Sequence, residues 1–390
     1  MKKAPISFLR FLSCPCAKVS VWRTSQMDSE IYDRYSIEVD SIGAEEWNTV
    51  LRVFSDASIF QTYEYGVENW GKNHLSHIVL RKDNDIVAAS QVWVVELPIL
   101  KCGFAHIPWG PMWKCKNRER DVQTVRMMLR ALRDEYVEKR GLLLRLRGYS
   151  VSGTDEGNEV IQQLSEEGFT FQKREAAYRT YRINLTKSLE ELRTKFKGNW
   201  RRDLIKAERQ DLEIEIGNSV SMLVVFSEIY KDMVRRKGFK EYVADMNKYI
   251  EMQRRYRDDL KMNIFLCKHE GTYVAGAVVP AIGDTGMYLL GATSTICFEK
   301  KLLASHLIQW RVLSCLKSNG FRYYDLRGGI DGDMEGVRHF KSGLSGEEIH
   351  YIGSYECSHR VLSEVAVRTG EHIQRMKAGL QNFVWKLASK

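Results

Sequence analysis

The segment best suited to chemistry runs from a short apolar strand into a glycine turn and then into cationic residues. Residues 323–326 follow a buried-strand pattern, and Gly328 and Gly329 come next with no side chain to obstruct a ligand. Arg338 and Lys341 follow a few residues later, on either side of Phe340. A strand that opens into glycines and then into cations suits an anionic or carbonyl-bearing ligand. A surface turn followed by a solvated basic face is the alternative interpretation.

A second group of cations lies in a predicted helix that begins at Ser188. The pair Ser188-x-x-Glu191 is a capping box, and helical spacing continues to about residue 210. One side of this helix carries an apolar stripe formed by Leu192, Phe196, Trp200 and Leu204. Two basic rows run along the rest of the helix, made of Arg193, Lys197 and Arg201 and of Arg202, Lys206 and Arg209. Three of these cations are predicted to contact phosphates, with a solvated face as the alternative: Arg201, Arg202 and Lys206.

Length, charge and cysteine content restrict the class of protein. A chain of 390 residues exceeds what one hydrophobic core usually supports, so two domains are expected. The net charge of +9 and the pI of about 9.0 favour a polyanionic partner such as RNA, a nucleotide-linked precursor or an anionic membrane surface. The eight cysteines lack zinc-site spacing, which is typical of reduced thiols in a cytosolic protein.

Several common site patterns are missing from the sequence. His74 and His77 have no carboxylate in a useful register, so structural histidines are expected and no metal is predicted. The sequence has no Walker loop and no Gly-x-Gly-x-x-Gly pattern. It also has no run of 18 apolar residues, so no transmembrane helix is predicted. We therefore expect neither a metal nor another resident cofactor.

The sequence contains a weak internal repeat, in which residues 78–82 recur at 264–268, an offset of 186 residues. Each copy has a strand, a polar turn, a second strand with small residues, an amphipathic helix and a further strand. The helices are predicted over about 122–137 and 303–316, and the last strands over 142–147 and 321–326. This order favours two similar α+β domains that face each other, with chance similarity as the alternative.

The two ends of the chain are predicted to lie outside these domains. Residues 1–30 indicate a disordered tail, an export-type segment with Cys14 as a lipidation site, or a mistaken start ahead of Met27. Residues 358–390 are predicted to form a basic amphipathic helix whose apolar side includes Val365, Ile373, Met376, Leu380, Val384 and Leu387. Packing of this helix on the body of the protein is the first expectation, and docking on an anionic membrane or RNA is the alternative.

The second repeat resembles the acyltransferase fold of the GNAT superfamily. Residues from about 32 to 355 resemble the FemABX aminoacyltransferases, which contain two such domains. The matching segments occur in the same order along the chain: FQTYEY (60–65), PWGP (108–111), WRRDLIKAE (200–208), YKDMVRRKGF (230–239), YLLGA (288–292) and the stretch 324–341. The resemblance implies an α+β protein with two GNAT-like domains, over residues 31–185 and 186–357, packed around a shared cleft.

The resemblance also implies a reaction, the transfer of an amino acid from aminoacyl-tRNA to an amine of a nucleotide- or lipid-linked peptidoglycan precursor. It places Lys341, beside Phe340, at the reacting centre, where a desolvated ammonium would stabilise the oxyanion of ester aminolysis. Asp325 is the candidate general base, although an acidic residue at a strand end is more often structural. Three aromatic residues are predicted to line the cleft, with packing in the core as the alternative: Tyr65, Trp109 and Tyr288.

The chain departs from its apparent relatives in ways that leave other functions open. Acetyl-CoA enzymes of this fold present a glycine-rich turn before a helix, whereas residues 298–303 contain no glycine, which favours another donor. Trp109 and Lys114 stand where members acting on peptidoglycan often carry an arginine and a carboxylate, so the acceptor is not fixed. The alternatives are an N-acyltransferase for a polysaccharide or lipid-linked sugar and a non-catalytic RNA- or precursor-binding protein. The predicted location is the cytoplasm, at the inner face of the membrane if the last helix docks there.

Overall fold

The computed structural model describes residues 34–97, 102–173, 178–238, 243–328 and 335–373. Gly329, the tail over residues 1–30 and the predicted helix beyond residue 373 lie outside the described residues. The described residues form three β-sheets with helices packed on them, which confirms the predicted α+β class.

The first sheet collects strands of the N-terminal half and one strand from the far end of the chain. Its strands are β1 (Tyr35–Val39), β2 (Leu75–Lys82), β3 (Asp85–Leu97), β4 (Cys102–Ile107), β5 (Leu143–Arg147), β6 (Thr170–Phe171) and β16 (Ser354–Cys357). They lie in the order β1-β2-β3-β4-β5-β16-β6. Strands β4 and β5 run parallel, while the other neighbours in this sheet are antiparallel.

The helices of the N-terminal half cover this sheet and connect its strands. They are α1 (Ala44–Val50), α2 (Tyr63–Trp70), α3 (Val122–Leu132), which continues as a π-helical segment (Arg133–Lys139), and α4 (Asp155–Glu166). Short 3-10 turns lie at Leu51–Val53, Ile59–Gln61 and Lys72–His74. One side of α3 is apolar and buried, including Val125, Met128 and Leu132, and this side packs against β2 and β3.

The second half of the chain forms two smaller sheets. One is antiparallel, in the order β13-β10-β9-β8, and contains β8 (Glu213–Gly217), β9 (Asn263–His269), β10 (Thr272–Val279) and β13 (Leu290–Thr293). The other has the order β11-β12-β14-β7-β15 and contains β7 (Arg179–Asn184), β11 (Ala281–Ile282), β12 (Thr285–Met287), β14 (Tyr323–Asp325) and β15 (Glu347–His350). Strands β12 and β14 run parallel, and β7 runs antiparallel to both of its neighbours.

The helices of this half are α5 (Leu189–Lys195), α6 (Gly198–Ala207), α7 (Val220–Lys237), α8 (Met246–Arg255), α9 (Thr295–Glu299), α10 (Ala304–Ser318) and α11 (Glu335–Gly343). A further helix occupies residues 361–373 and continues up to the end of the described residues. Helix α7 packs on β10 and β13, whereas α10 packs on α6, β9 and β10. Among the described residues, no helix combines the length and the apolar character that crossing a bilayer requires.

The repeated elements predicted from the sequence are present in both halves. The hairpins β2–β3 and β9–β10 correspond to the repeated strand pairs, and α3 and α10 are followed by β5 and β14 as expected. The halves also exchange strands, because β7 pairs with β14 and β15 while β16 joins the first sheet. The domain boundaries given above, 31–185 and 186–357, stay a prediction.

The predicted single helix from Ser188 to about residue 210 is wrong, because the chain forms two helices there. The capping box at Ser188 is present, but the backbone becomes extended at Phe196 and Lys197 before α6 begins. The Lys197 N–H donates to the carbonyl oxygen of Gly343 at 2.9 Å, so a contact with α11 replaces a helical hydrogen bond. The four residues of the apolar stripe, from Leu192 to Leu204, are nevertheless all buried in one core cluster.

The two halves share a continuous core. One cluster of buried side chains contains Trp47 and Phe60 from the N-terminal half and Phe226 and Leu266 from the C-terminal half. Polar contacts across the same boundary join α2 to α8. The hydroxyls of Thr62 and Tyr256 lie 2.9 Å apart, and Arg255 pairs with Glu68 at 2.7 Å. This packing holds the facing surfaces of the two halves in a fixed relation.

Candidate functional site

The site begins where two strands of the second half change partners. Strand β12 pairs with β14, but β13, only two residues further along the chain, pairs with β10 in the other sheet. At the change, the Tyr288 N–H donates to the Asp325 carbonyl oxygen at 2.8 Å, and the Leu289 N–H donates to the Val278 carbonyl oxygen at 3.1 Å. The two sheets therefore separate at this point, beside the carboxyl end of β14.

Asp325, the last residue of β14, is buried and fully engaged by donors. Its Oδ1 accepts a hydrogen bond from the Thr180 hydroxyl at 2.6 Å and from the Arg327 N–H at 2.7 Å. Its Oδ2 accepts from the Tyr351 hydroxyl at 2.9 Å. The carboxylate therefore fixes the turn that follows β14, and a further role as general base stays a prediction.

We expect Asp325→Ala to reduce the free energy of unfolding by about 2–4 kcal/mol, because two buried hydroxyls and the partly buried Arg327 N–H lose their acceptor. Urea denaturation of the purified variant measures this change. Asp258→Ala is the matched control, since the Asp258 side chain is exposed and, among the described residues, forms an ion pair with Lys261 alone, three residues along the chain. If Asp325→Ala lowered the free energy of unfolding as little as Asp258→Ala does, the structural role of Asp325 would be contradicted.

Arg327 was not among the site residues predicted from the sequence, although it lies within the segment that drew attention first. Its φ of +55° is in the left-handed region, which is uncommon for a residue other than glycine, and the Asp325 carboxylate holds its N–H there. Its guanidinium carbon lies 5.2 Å from the ring centroid of Phe60, on the opposite half of the molecule. Burial opposes the charge, but Tyr178, Tyr249 and Asp325 together hold the pKa of Arg327 above its ordinary value.

Lys341 lies in the last turn of α11 and is buried, with 7% of its surface exposed. Its Nζ donates to the carbonyl oxygen of Arg327 at 3.2 Å and also to that of Gly328. Burial and the nearby Arg327 charge lower the pKa of Lys341 to about 8, against the opposing effect of Asp325. The Nζ also lies 5.7 Å from the ring centroid of Tyr288. The structure thus brings the predicted residues Lys341, Asp325 and Tyr288 together at the end of β14.

The other predicted residues of α11 have different surroundings. Phe340 packs against Trp200 and His306, with ring centroids 6.0 Å and 5.1 Å away, so it joins α11 to α6 and α10. Arg338 is exposed on the same helix. A contact of either residue with substrate stays a prediction, and the observed role of Phe340 is to hold the helix that carries Lys341.

Gly328 is required by a close approach between the turn and an aromatic side chain. Its N–H donates to the Tyr178 hydroxyl, and a Cβ added at this position would lie 2.9 Å from the Tyr178 ring. Any larger residue would therefore displace either the Tyr178 ring or the turn that supplies the carbonyl oxygens to Lys341. Gly329, the second glycine of the predicted turn, lies outside the described residues.

The first half contributes aromatic side chains to the same region. Trp109 is buried, and its ring centroid lies 4.8 Å from that of Tyr178 and 5.1 Å from that of Tyr351, which binds Asp325. Tyr65 is half-buried, packs on Phe60 at 5.2 Å, and has its pKa raised to about 12 by burial. Trp109 thus supports the turn from behind, and its direct contact with substrate stays a prediction.

The three cations predicted to bind phosphate lie on the exposed side of α6. Arg201 donates to the Thr194 carbonyl oxygen at 3.1 Å, and Arg202 donates to the Asn199 side chain. Lys206 is exposed and lies 3.4 Å from Asp203. Because α6 packs on α11 through Trp200, these cations are neighbours of the helix that carries Lys341, but they are exposed whereas Lys341 is buried.

Comparison of the sequence with known protein families identifies the family of this chain. The model of the FemAB family matches residues 44–266 and 243–363, which together span both halves and include Lys341. The chain belongs to the FemAB family. Family membership confirms the FemABX resemblance and gives the general class of the protein, an acyltransferase with tandem GNAT-like domains. A search of curated protein sequences found no match.

Solved structures support the fold. A crystal structure of FemX aligns with a TM-score of 0.70 at 16% identity, covering 85% of this chain and 99% of that chain. A conserved protein of unknown function from Bacteroides thetaiotaomicron aligns with a TM-score of 0.51 at 13% identity, covering 82% and 98%. At these identities the likeness concerns the fold, which the FemAB chain shares over most of its length.

Proposed function

We propose that this FemAB family member transfers an amino acid from aminoacyl-tRNA to an amine of a cell-wall peptide precursor. The observation that carries the proposal is the buried Lys341 ammonium, held on the carbonyl oxygens of Arg327 and Gly328 at the point where β12 and β13 separate. Family membership supports acyl transfer in general. The donor and the acceptor are our proposal.

The chemistry follows from the placement of two cations in one cleft. The acceptor amine attacks the carbonyl carbon of the aminoacyl ester, and the carbonyl oxygen becomes an oxyanion. The Lys341 ammonium, partly desolvated by burial, stabilises that charge more strongly than water would. The ester C–O bond then breaks, and the amine proton passes to the departing ribose oxygen, which leaves as a hydroxyl. Arg327 binds an anionic group of the substrate, such as a phosphate or carboxylate.

The starts of two helices support a donor other than CoA. A pyrophosphate needs free N–H groups at a helix N-terminus. At α10 the Leu303 N–H already donates to the Gln210 side chain at 2.8 Å. At α3 the Asp121 carboxylate caps the helix by accepting from the Gln123 N–H at 3.0 Å, and its negative charge opposes a phosphate. The corresponding position in each half is therefore poorly suited to CoA.

The two alternative functions, N-acyl transfer to a polysaccharide or lipid-linked sugar and non-catalytic binding, would alter different polymers of the cell. A comparison by mass spectrometry of cell-wall peptides and surface polysaccharides, from cells with and without the protein, tests the acceptor directly. We expect loss of an amino-acid substituent from the wall peptide. Unchanged wall peptides together with loss of an acyl group from a polysaccharide would overturn the proposal and favour the N-acyltransferase. No change in either polymer would favour a non-catalytic binding protein.

The reaction should depend on the protonation of Lys341. Below its pKa of about 8 the side chain is charged and can stabilise the oxyanion, so the turnover rate should fall as the pH rises through that value. In Lys341→Arg the charge persists at higher pH, and the falling limb should disappear even if the rate is lower. Single-turnover rates between pH 6 and about 10, corrected for spontaneous ester hydrolysis, measure this. A falling limb that stays at the same pH in Lys341→Arg would contradict the assignment.

A further inference from the structure

Exposed cations form a row along α6 that continues onto the turn before α10. Three of them follow one another at helical spacing on α6 and at its end: Arg202, Lys206 and Arg209. The Gln210 side chain joins this end of α6 to the turn, because it accepts a hydrogen bond from the Leu303 N–H at 2.8 Å. Lys301, in the same turn, is also exposed. We call these four cations the cation row.

The cation row has little negative charge to neutralise it. Among the described residues, Arg202, Arg209 and Lys301 form no ion pair, and the Arg202 guanidinium donates to the uncharged side chain of Asn199. Lys206 lies 3.4 Å from Asp203, but its side chain is 67% exposed. Because such an exposed pair is weak, its lysine stays available to another anion. The row therefore presents an excess of positive charge, which suits a polyanionic partner.

An exposed aromatic ring lies beside the cation row. The Lys301 N–H donates to the Phe298 carbonyl oxygen at 3.1 Å, so the two residues share one turn of the chain. Cys297 is buried in the core of the second half, whereas Phe298 is 66% exposed. The Arg236 guanidinium carbon lies 4.8 Å from the centroid of the Phe298 ring. An exposed ring among cations is typical of surfaces on which the bases of single-stranded nucleic acid stack.

This surface adjoins the elements that carry and hold Lys341. Helix α9, which contains Phe298, follows β13 directly, and β13 separates from β14 beside the strand end at which Lys341 lies. Helix α6 packs on α11 through Trp200, whose ring centroid lies 6.0 Å from that of Phe340. Helix α10 reaches the same ring through His306, at 5.1 Å. The helix that carries Lys341 is therefore held by the elements that present the cation row.

We propose that the cation row and Phe298 dock the acceptor end of a tRNA. The cations would contact phosphates of the acceptor stem, and a base of the unpaired 3′ end would stack on Phe298. The proposal rests on the function proposed above, because it takes aminoacyl-tRNA as the donor. The aminoacyl ester is carried by the same 3′ end, so a tRNA docked here would have its reacting group near Lys341. An anionic lipid surface would attract the same cations but would offer no base to Phe298.

The affinity for uncharged tRNA, measured with the intact protein at several salt concentrations, tests this surface without requiring the reaction. In Arg202→Gln/Lys206→Gln/Arg209→Gln, binding should weaken at least about tenfold, and the slope of log affinity against log salt should decrease by about 2–3, close to one for each lost phosphate contact. In Phe298→Ala, binding should weaken about tenfold while the salt slope stays the same, because a stacking contact is lost and no charge is removed.

Matched controls remove the same groups from the N-terminal half. Arg34→Gln/Lys116→Gln/Arg118→Gln removes three exposed cations, and Phe171→Ala removes an exposed ring from β6. Both control variants should bind tRNA with the affinity and the salt slope of the wild type. Equal weakening in the control triple variant would mean that net charge alone attracts the RNA, and it would overturn the proposed surface.

Two further outcomes separate this surface from the proposed reaction and from a lipid partner. If the wild type binds tRNA but the cation-row variant and Phe298→Ala bind it equally well, the surface is wrong and the donor proposed above stands. If the wild type binds no tRNA, the proposed donor is wrong and the surface falls with it. A cation-row variant that keeps its tRNA affinity but no longer sediments with anionic vesicles would overturn the proposal in favour of lipid.

Discussion

Lys341→Met should reduce the single-turnover rate of aminoacyl transfer on the order of 100-fold or more, the scale of losing one donor to an oxyanion. Methionine keeps most of the aliphatic stem and removes the charge that Arg327 and Gly328 orient through their carbonyl oxygens. The binding of aminoacyl-tRNA should change much less than the rate, because the ammonium acts mainly on charge that develops during the reaction. Rapid-quench measurements with labelled aminoacyl-tRNA and saturating acceptor give the rate directly.

The control for this variant is Lys116→Met, which removes an exposed lysine of the N-terminal half. It should have the wild-type rate. A folded Lys341→Met protein with a near-wild-type rate would remove Lys341 from the reaction and would favour the non-catalytic binding protein. Circular dichroism and a thermal melt establish that the variant is folded.

Arg327→Met should reduce kcat/KM by about 100-fold, the second largest effect that we expect, because a buried charge-assisted contact with the substrate would be lost. Arg327 is half-buried among aromatic side chains and forms no ion pair with a described residue, so an anionic substrate group is the partner that its position suits. Neither arginine nor methionine favours a φ of +55°, so the backbone strain is the same in both proteins. Steady-state kinetics against each substrate in turn show which one Arg327 contacts.

Arg34→Met is the matched control for Arg327→Met, since Arg34 is exposed and pairs with Asp83 on the first sheet. It should leave kcat/KM unchanged. A different result would contradict this role of Arg327. If Arg327→Met were much less stable to heat, but its folded molecules had the wild-type kcat/KM, then Arg327 would hold the two halves together through Phe60 and would not bind substrate.

The sequence predicted the repeated elements well, because each follows from local patterns. Strand pairs with polar turns and an amphipathic helix between strands recur in both halves, and the structure contains them. The break between α5 and α6 could not be predicted, since it depends on a hydrogen bond between Lys197 and Gly343, which are distant in sequence. Helical spacing alone continues through that point.

The candidate site was predictable only in part. A strand, a glycine and a lysine near an aromatic residue were visible in the sequence, and the structure brings Asp325, Gly328 and Lys341 together. Arg327 was missed because its importance depends on burial and a left-handed backbone, both of which come from the separation of β12 and β13 and from the Asp325 carboxylate. No local pattern reports either property.

The orientation of the helix over residues 361–373 also could not be predicted from the sequence, for a different reason. Val365 and Ile373 are exposed, so the expectation that they pack on the body of the protein is wrong. An amphipathic pattern predicts that the apolar side faces the protein, and for most helices this holds. Here Arg145 and Glu356, on two neighbouring strands of the first sheet, form a buried charged surface that selects the polar side of the helix instead. Since these strands are more than 200 residues apart in sequence, only the assembled sheet reveals the surface.

Supplying the purified protein with each of two donors in turn, and following one acceptor, shows whether Lys341 supports transfer from aminoacyl-tRNA. Labelled aminoacyl-tRNA or acyl-CoA is incubated with a nucleotide-linked or lipid-linked wall peptide, and the acceptor is analysed by mass spectrometry. We expect an acceptor heavier by one amino-acid residue with aminoacyl-tRNA alone, and loss of that product with Lys341→Met. Acyl transfer from acyl-CoA, with none from any aminoacyl-tRNA, would contradict it.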